Sequence, residues 1–158
     1  TFPNAKYLMS KTEFNHADAT YRSGKKDTHT QAFEDSIDPI LRAKQAVLVA
    51  DDYEVDKGMW IEACHGHTPG NIVINIESEG QRGVLTGDVI HHQIQLRYPE
   101  MSTTADDNQD LARVSRTALI EKHAGSGNLI FPAHFPAPTI GRIEPNAAGG
   151  FRYDTDAV

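Results

Sequence analysis

The sequence predicts a mixed α/β layered domain, and three observations carry that prediction. Apolar segments of strand length cluster in the middle of the chain: AVLVA at 46–50 is a continuous run, and NIVINIE at 71–77 alternates. The segment STTADDNQDLARVSRTALIEKHAGSG at 102–127 has a helical apolar repeat. The resulting order is strand, helices, a run of strands, helix, strand. No linker, internal repeat or low-complexity stretch interrupts the 158 residues, so a single domain over 1–158 is expected.

Taken in order, AKYLMS at 5–10 reads as a short strand. Ser10 and Glu13 then have the spacing of a capping box, so a helix follows and ends near RSGKK at 22–26. THTQAFEDSI at 28–37 is a second helical stretch. Asp38 as N-cap and Pro39 at the first helical position suit a fresh start for DPILRAKQ. AVLVA is expected to be a strand buried on both faces. GMWIEAC at 58–64 places Met59, Ile61 and Ala63 on one side; NIVINIE places Ile72, Ile74 and Ile76 on one face. RGVLTGD at 82–88 is a short buried strand ending in a turn. The long helix is expected to be capped by Thr104, with acids in its first turn, Leu111, Val114 and Ala118 sharing a face, and Gly125 as terminator. NLIF at 128–131 is another strand, and GRIEP with GGFRYD forms a last strand pair.

Composition narrows the function. At 39% hydrophobic and 23% charged the chain is globular, and a net charge of -7 disfavours nucleic acid as a partner. No apolar run is long enough to span a bilayer, so no membrane role is expected. Cys64, the single cysteine, excludes an internal disulfide and reads as a small buried core residue. Eight histidines raise the prospect of metal chemistry. The chain opens at Thr1, inside an apolar segment, which raises the expectation of sequence upstream.

Three metal-competent residues fall at strand ends. His67 follows the strand ending at 64 after a glycine, Asp88 follows GVLTG directly, and His134 follows NLIFPA. Open α/β sheets place ligand sites outside strand carboxyl ends, and two imidazoles with a carboxylate suit Zn²⁺ or another borderline metal. Each residue also has a structural reading. His67 could simply terminate a strand, although Gly66 before it and Pro69-Gly70 after it shape the turn. Asp88 could cap a helix or a turn. His134 sits in a rigid frame between Pro132 and Pro136. His65 is read as a structural neighbour. His91 and His92 are candidates to line a substrate mouth, or surface residues. His16, His29 and His123 lie in surface contexts and receive no role.

These residues resemble motifs of the metallo-β-lactamase superfamily. GHTPG at 66–70 looks like its third metal motif, LTGDVI at 85–90 like its bridging-aspartate motif, and FPAHF at 131–135 like its last metal-histidine motif. The three occur in family order, separated by 21 residues (67 to 88) and 46 residues (88 to 134). TGDVIHH and FPAHFPAPTIGRI look most like the branch of lactonases and organophosphate or ester hydrolases. Asn71 departs from the second histidine that many relatives carry after HTPG. The family signature H-x-H-x-D-H is absent; HGH at 65–67 lacks the following Asp-His.

The resemblance therefore implies the C-terminal half of a four-layer αββα sandwich, a mixed sheet with flanking helices, lacking the half that carries H-x-H-x-D-H. It implies a metal-dependent hydrolase of an ester, lactone or phosphoester-type bond in a small molecule. One or two Zn²⁺, or another divalent metal, would be held by His67, Asp88 and His134, with Asp88 catalytic in bridging the metals and a hydroxide. As a truncated half, the chain is expected to be weak or inactive alone. Its uncovered sheet face is expected to drive association into a homo-oligomer. The alternative from another class is a non-catalytic binding or assembly module that keeps the fold without the dinuclear site. A small zinc-stabilised domain built on Cys64, His65 and His67 fits worst, because no second ligand pair follows.

Overall fold

The computed structural model describes residues 2–26 and 28–156, and these divide into two compact units, 1–51 and 52–158. In the first unit, β1 (Tyr7–Ser10) pairs in parallel with β2 (Ala46–Val49), and the helices lie between them in sequence. Helix α1 (Lys11–Arg22) is capped as its sequence requires: Glu13 N donates to Ser10 Oγ at 3.1 Å. Its ring Tyr21 stacks on Phe33 at 4.6 Å, with Phe14 at 6.4 Å, around the buried Phe33.

Two expectations fail here. Asp38 does not start a fresh helix. Helix α2 (Thr28–Ala32) continues through a π-helical turn, Phe33–Ile37, directly into α3 (Asp38–Arg42), and the Asp38 carboxylate pairs with Arg42 at 2.6 Å. A proline inside a helix removes one N–H and crowds the carbonyl four residues back; the wider turn ahead of Pro39 accommodates both. Nor is AVLVA covered on both faces: Leu48 is exposed, and β2 has β1 as its partner strand. An apolar run records what a strand can bury, not what covers it.

The second unit is built on a five-stranded sheet in the order β3-β4-β5-β6-β7, comprising β3 (Glu54–Asp56), β4 (Met59–Ala63), β5 (Ile72–Ser78), β6 (Gln81–Gly87) and β7 (Leu129–Pro132). Pairings are antiparallel from β3 to β6 and parallel between β6 and β7. Helix α5 (Gln109–His123) lies in the crossover between the parallel pair, as parallel strands require. A second sheet of two strands, β8 (Arg142–Pro145) and β9 (Phe151–Asp154), follows. β3 and the short helix α4 (Ile94–Arg97) were not legible in sequence; at three and four residues they are too short to show a period.

The core of this unit gathers Val73, Val84 and Ile130 of the sheet with Leu119 and Ile120 of α5 and Ile143 of β8. The sheet therefore turns Val73 and Asn75 of β5 inward, and Ile76 is exposed. Helix α5 is rotated from the expected face. Leu111 and Ala118 are exposed and Val114 is 65% exposed, whereas Ala112, Arg116, Leu119, Ile120 and His123 are buried. The buried set has i, i+4, i+7, i+8, i+11 spacing, but it includes an arginine and a histidine, which an apolar count passes over. His123, expected at the surface, is buried and meets Asn128 Nδ2 at 3.0 Å. The helix begins later than expected. Asn108, not Thr104, caps it, its Oδ1 accepting from Leu111 N at 3.0 Å.

Candidate metal centre

Strand direction assembles the site. β4 and β6 are both antiparallel to β5, so they run the same way, and β7 is parallel to β6. The carboxyl ends of β4, β6 and β7 thus share one edge of the sheet. His67 follows β4, Asp88 follows β6 and His134 follows β7, with Gly87 and Pro132 directly paired just before the latter two. Residues separated by 21 and 46 positions meet there: His134 Nε2 lies 2.9 Å from Asp88 Oδ1, and His67 Nε2 lies 3.5 Å from Asp88 Oδ2.

The segments that carry His67 and His134 are held from behind. The His67 turn is closed by Asn71, whose Nδ2 donates to Cys64 O at 2.9 Å, and by Cys64 N to Asn71 O at 2.9 Å. Gly66 has φ +134°, and a Cβ there would collide with the backbone of Ala112. Only glycine admits this approach of the turn to α5. The start of the helix then binds the turn, Asn108 N donating to Gly66 O at 3.0 Å and Asp107 N to His67 O at 2.9 Å. Beyond β7, Phe135 is buried edge-to-face against Tyr153 at 4.9 Å. The Tyr153 hydroxyl donates between Ile130 O (2.7 Å) and Thr139 O (2.9 Å), tying down the segment that carries His134. Burial pushes that phenol up to about 12.

Behind His67 stands a residue that sequence reading missed. Asp106 accepts from His67 Nδ1 at 3.0 Å through Oδ1; its Oδ2 takes Ser102 Oγ (2.5 Å), Thr103 N (3.1 Å) and Arg116 Nη2 (3.3 Å). Burial alone would raise its pKa, but these hydrogen bonds and the Arg116 charge more than offset it and hold the carboxyl at about 2. Arg116 is itself 0% exposed and also donates to Val89 O, Pro99 O and Met101 O. The sequence places Asp106 among first-turn acids of a helix; α5 begins three residues later, which frees Asp106 for the site. The signal available in sequence was the arginine on the helix face, whose burial demands a carboxylate.

The two histidines after Asp88 separate. His91 is half-buried, its ring 4.8 Å from that of His67 and stacked 4.9 Å from that of His134. Burial and the two neighbouring imidazoles lower its pKa. His92 is exposed, its Nδ1 accepting from Ile94 N at 3.1 Å at the start of α4. Cys64 is buried in the core, its thiol pushed up to about 12 by burial, the opposite of what a thiolate ligand requires.

Two donor groups among the described residues are compact enough for a metal: His67, His91 and Asp106, and Asp88, His91 and His134. In the first, Asp106 already spends both oxygens on four donors. The second has its carboxylate open to solvent on one side, with Asp88 41% and His134 49% exposed. The donor set fits a borderline divalent metal, and the buried His91 Nδ1, which has no hydrogen-bond partner, is an orphaned atom that such an ion would satisfy.

Solved structures share this architecture. The hydrolase AbOPH of the beta lactamase superfamily superposes with TM-score 0.83 at 22% identity, over 97% of this chain and 55% of its own. AidC, a dizinc quorum-quenching lactonase in complex with a product, gives 0.75 at 24% identity over 96% and 55%. A probable metal-dependent hydrolase from Staphylococcus aureus gives 0.67 at 16% identity over 97% and 53%. These neighbours are metallo-β-lactamase superfamily members, and this chain has their fold: a mixed sheet with flanking helices, corresponding to about half of such a domain. The chain spans about half the length of the structures it matches. No protein-family model and no curated protein matches the sequence.

Proposed function

We propose that this chain carries part of the catalytic centre of a metal-dependent hydrolase that cleaves an ester, lactone or phosphoester-type bond in a small molecule. The observation that supports it most is the convergence of His67, Asp88 and His134 from three strands running the same way, with both Asp88 oxygens facing an imidazole. Zn²⁺, or another divalent ion, is the cofactor that donor set suits. Bound there, the ion supplies Lewis acidity and a water of lowered pKa.

The chain's own residues set the geometry. Asp88 presents one oxygen to each side of the site, as a bridging carboxylate does. Asp106 fixes the His67 ring so that Nε2 faces Asp88. His134, the most exposed of the three, leaves its side of the site open to solvent and so to a small molecule. A small-molecule substrate is also in keeping with the neighbours, among them an N-acyl homoserine lactone hydrolase with its product at the catalytic metal centre.

The test is hydrolysis of an aryl ester, a γ-lactone and a phosphotriester by the Zn²⁺-loaded chain and its Asp88→Asn variant. Turnover of at least one bond type is expected, dependent on metal, well below ~1 per second because few ligands are present, and lost in the variant. Absence of both divalent-metal binding and metal-dependent hydrolysis would overturn the proposal and leave a non-catalytic module of the same fold.

A further inference from the structure

We infer that His91 is a metal ligand, and that Asp88, His91 and His134 form a three-ligand site through which this chain by itself holds one divalent transition-metal ion. The inference rests on the proposed metal centre for its location and adds a ligand that the sequence motifs do not assign.

Four observations carry it. Ligand atoms of Asp88, His91 and His134 all lie within 4.8 Å of one another, the first two from the turn after β6 and the third from the segment after β7. His91 Nδ1 is buried and without a hydrogen-bond partner. A buried imidazole nitrogen left unmade is unfavourable, and a metal ion is the partner that the surrounding donors also want. The backbone of His91 is held in place: its N–H donates to Gln95 Oε1 at 2.8 Å, and the buried Gln95 donates onward to Met101 O at 3.0 Å. Its neighbours Val89 and Ile90 are buried in the core, so the turn that presents the ring is anchored on both sides. Finally, the adjacent His92 has spent its Nδ1 on the Ile94 N–H, so the pair is divided into one structural ring and one ring free to ligate.

Two imidazoles and one carboxylate with a further position open is the ligand set of catalytic rather than structural zinc sites. Around a tetrahedral ion with bonds of ~2.0–2.1 Å, ligand atoms sit roughly 3.3 Å apart. The 2.9 Å between His134 Nε2 and Asp88 Oδ1 is already near that spacing. His91, stacked 10° from the plane of His134, would close the remainder by rotating its ring towards them.

The experiment is Co²⁺ titration of the full chain, read by its visible absorption, followed by Zn²⁺ competition, for the wild type and the variants His91→Gln, His134→Gln and His92→Gln. Circular dichroism and urea midpoints report whether each variant is folded. One ion per chain is expected in the wild type, weakened at least ~10–100-fold in His91→Gln and His134→Gln and unchanged in His92→Gln. Wild-type affinity in a folded His91→Gln overturns the inference while leaving the His67–Asp88–His134 centre intact. No binding by the wild type overturns both. Should His91→Gln fail to fold, His91→Asn and His91→Ala make the same comparison.

Discussion

His67 and Asp106, 39 residues apart in sequence, lie 3.0 Å apart from Nδ1 to Oδ1, and the carboxylate fixes the direction of the bond between them. Asp106 is held ionised down to about 2, so it can only accept. Nδ1 therefore carries a proton, and in the neutral ring that leaves the lone pair on Nε2, the nitrogen that faces Asp88 at 3.5 Å. This is the tautomer a metal on that side needs.

Replacing Asp106 by Asn removes that control. Zn²⁺ affinity is expected to fall ~10–100-fold, measured by competition with a chromophoric chelator. Unchanged affinity would show that the ring needs no such partner. The same variant tests the acid limb of stability. The Asp106 pKa is depressed from 3.8 to about 2 in the folded chain. Its contribution is therefore complete above the unfolded value and is lost as pH falls from there through the folded value. Between these pH values the urea midpoint of the wild type should drop more than that of Asp106→Asn.

Arg116→Met leaves the Asp106 carboxylate buried without its cation. Breaking a buried pair from one side costs about 3–5 kcal/mol, which urea denaturation would register. Combining it with Asp106→Asn should recover part of the loss, since the orphaned charge is then gone. Strict additivity would mean that the 3.3 Å contact carries no coupling.

Gly66→Ala should destabilise by roughly 3 kcal/mol or more, because the turn has φ +134° and the new methyl meets the Ala112 backbone. Thermal unfolding is the readout. A variant that unfolds with the wild type would mean that the turn and α5 separate freely.

The face of α5 can be tested by contrast. Val114→Lys, on the exposed side, should change stability by no more than about 0.5 kcal/mol. Ile120→Ala, at 0% exposure, should cost about 2–5 kcal/mol. The reverse order would restore the face that sequence periodicity favoured.

Cys64 should resist alkylation. With its thiol buried and pushed up to about 12, iodoacetamide at pH 8 should modify it far more slowly in the native chain than in guanidinium chloride, followed by mass spectrometry. Equal rates would contradict its place in the core.

The sequence by itself determined most of the strands, β3 excepted. AKYLMS, GMWIEAC, NIVINIE, RGVLTGD and NLIF became β1, β4, β5, β6 and β7, because β-branched and apolar runs bounded by glycine and proline leave few local alternatives. It also determined that His67, Asp88 and His134 stand just beyond strand ends, since that is a statement about position along the chain. Only the tertiary structure decided which face each element buries. Leu111 and Val114 of α5 are exposed while Arg116 and His123 are buried, because the core beneath supplies hydrogen-bond partners that a hydropathy pattern cannot record. Likewise only strand direction brought the three residues to one edge, and only packing placed Asp106 behind His67 and turned His91 in while leaving His92 out. Local sequence sets where a side chain leaves the backbone; what it meets depends on segments tens of residues away, whose approach is fixed by the pairing of the sheet and the burial of its core.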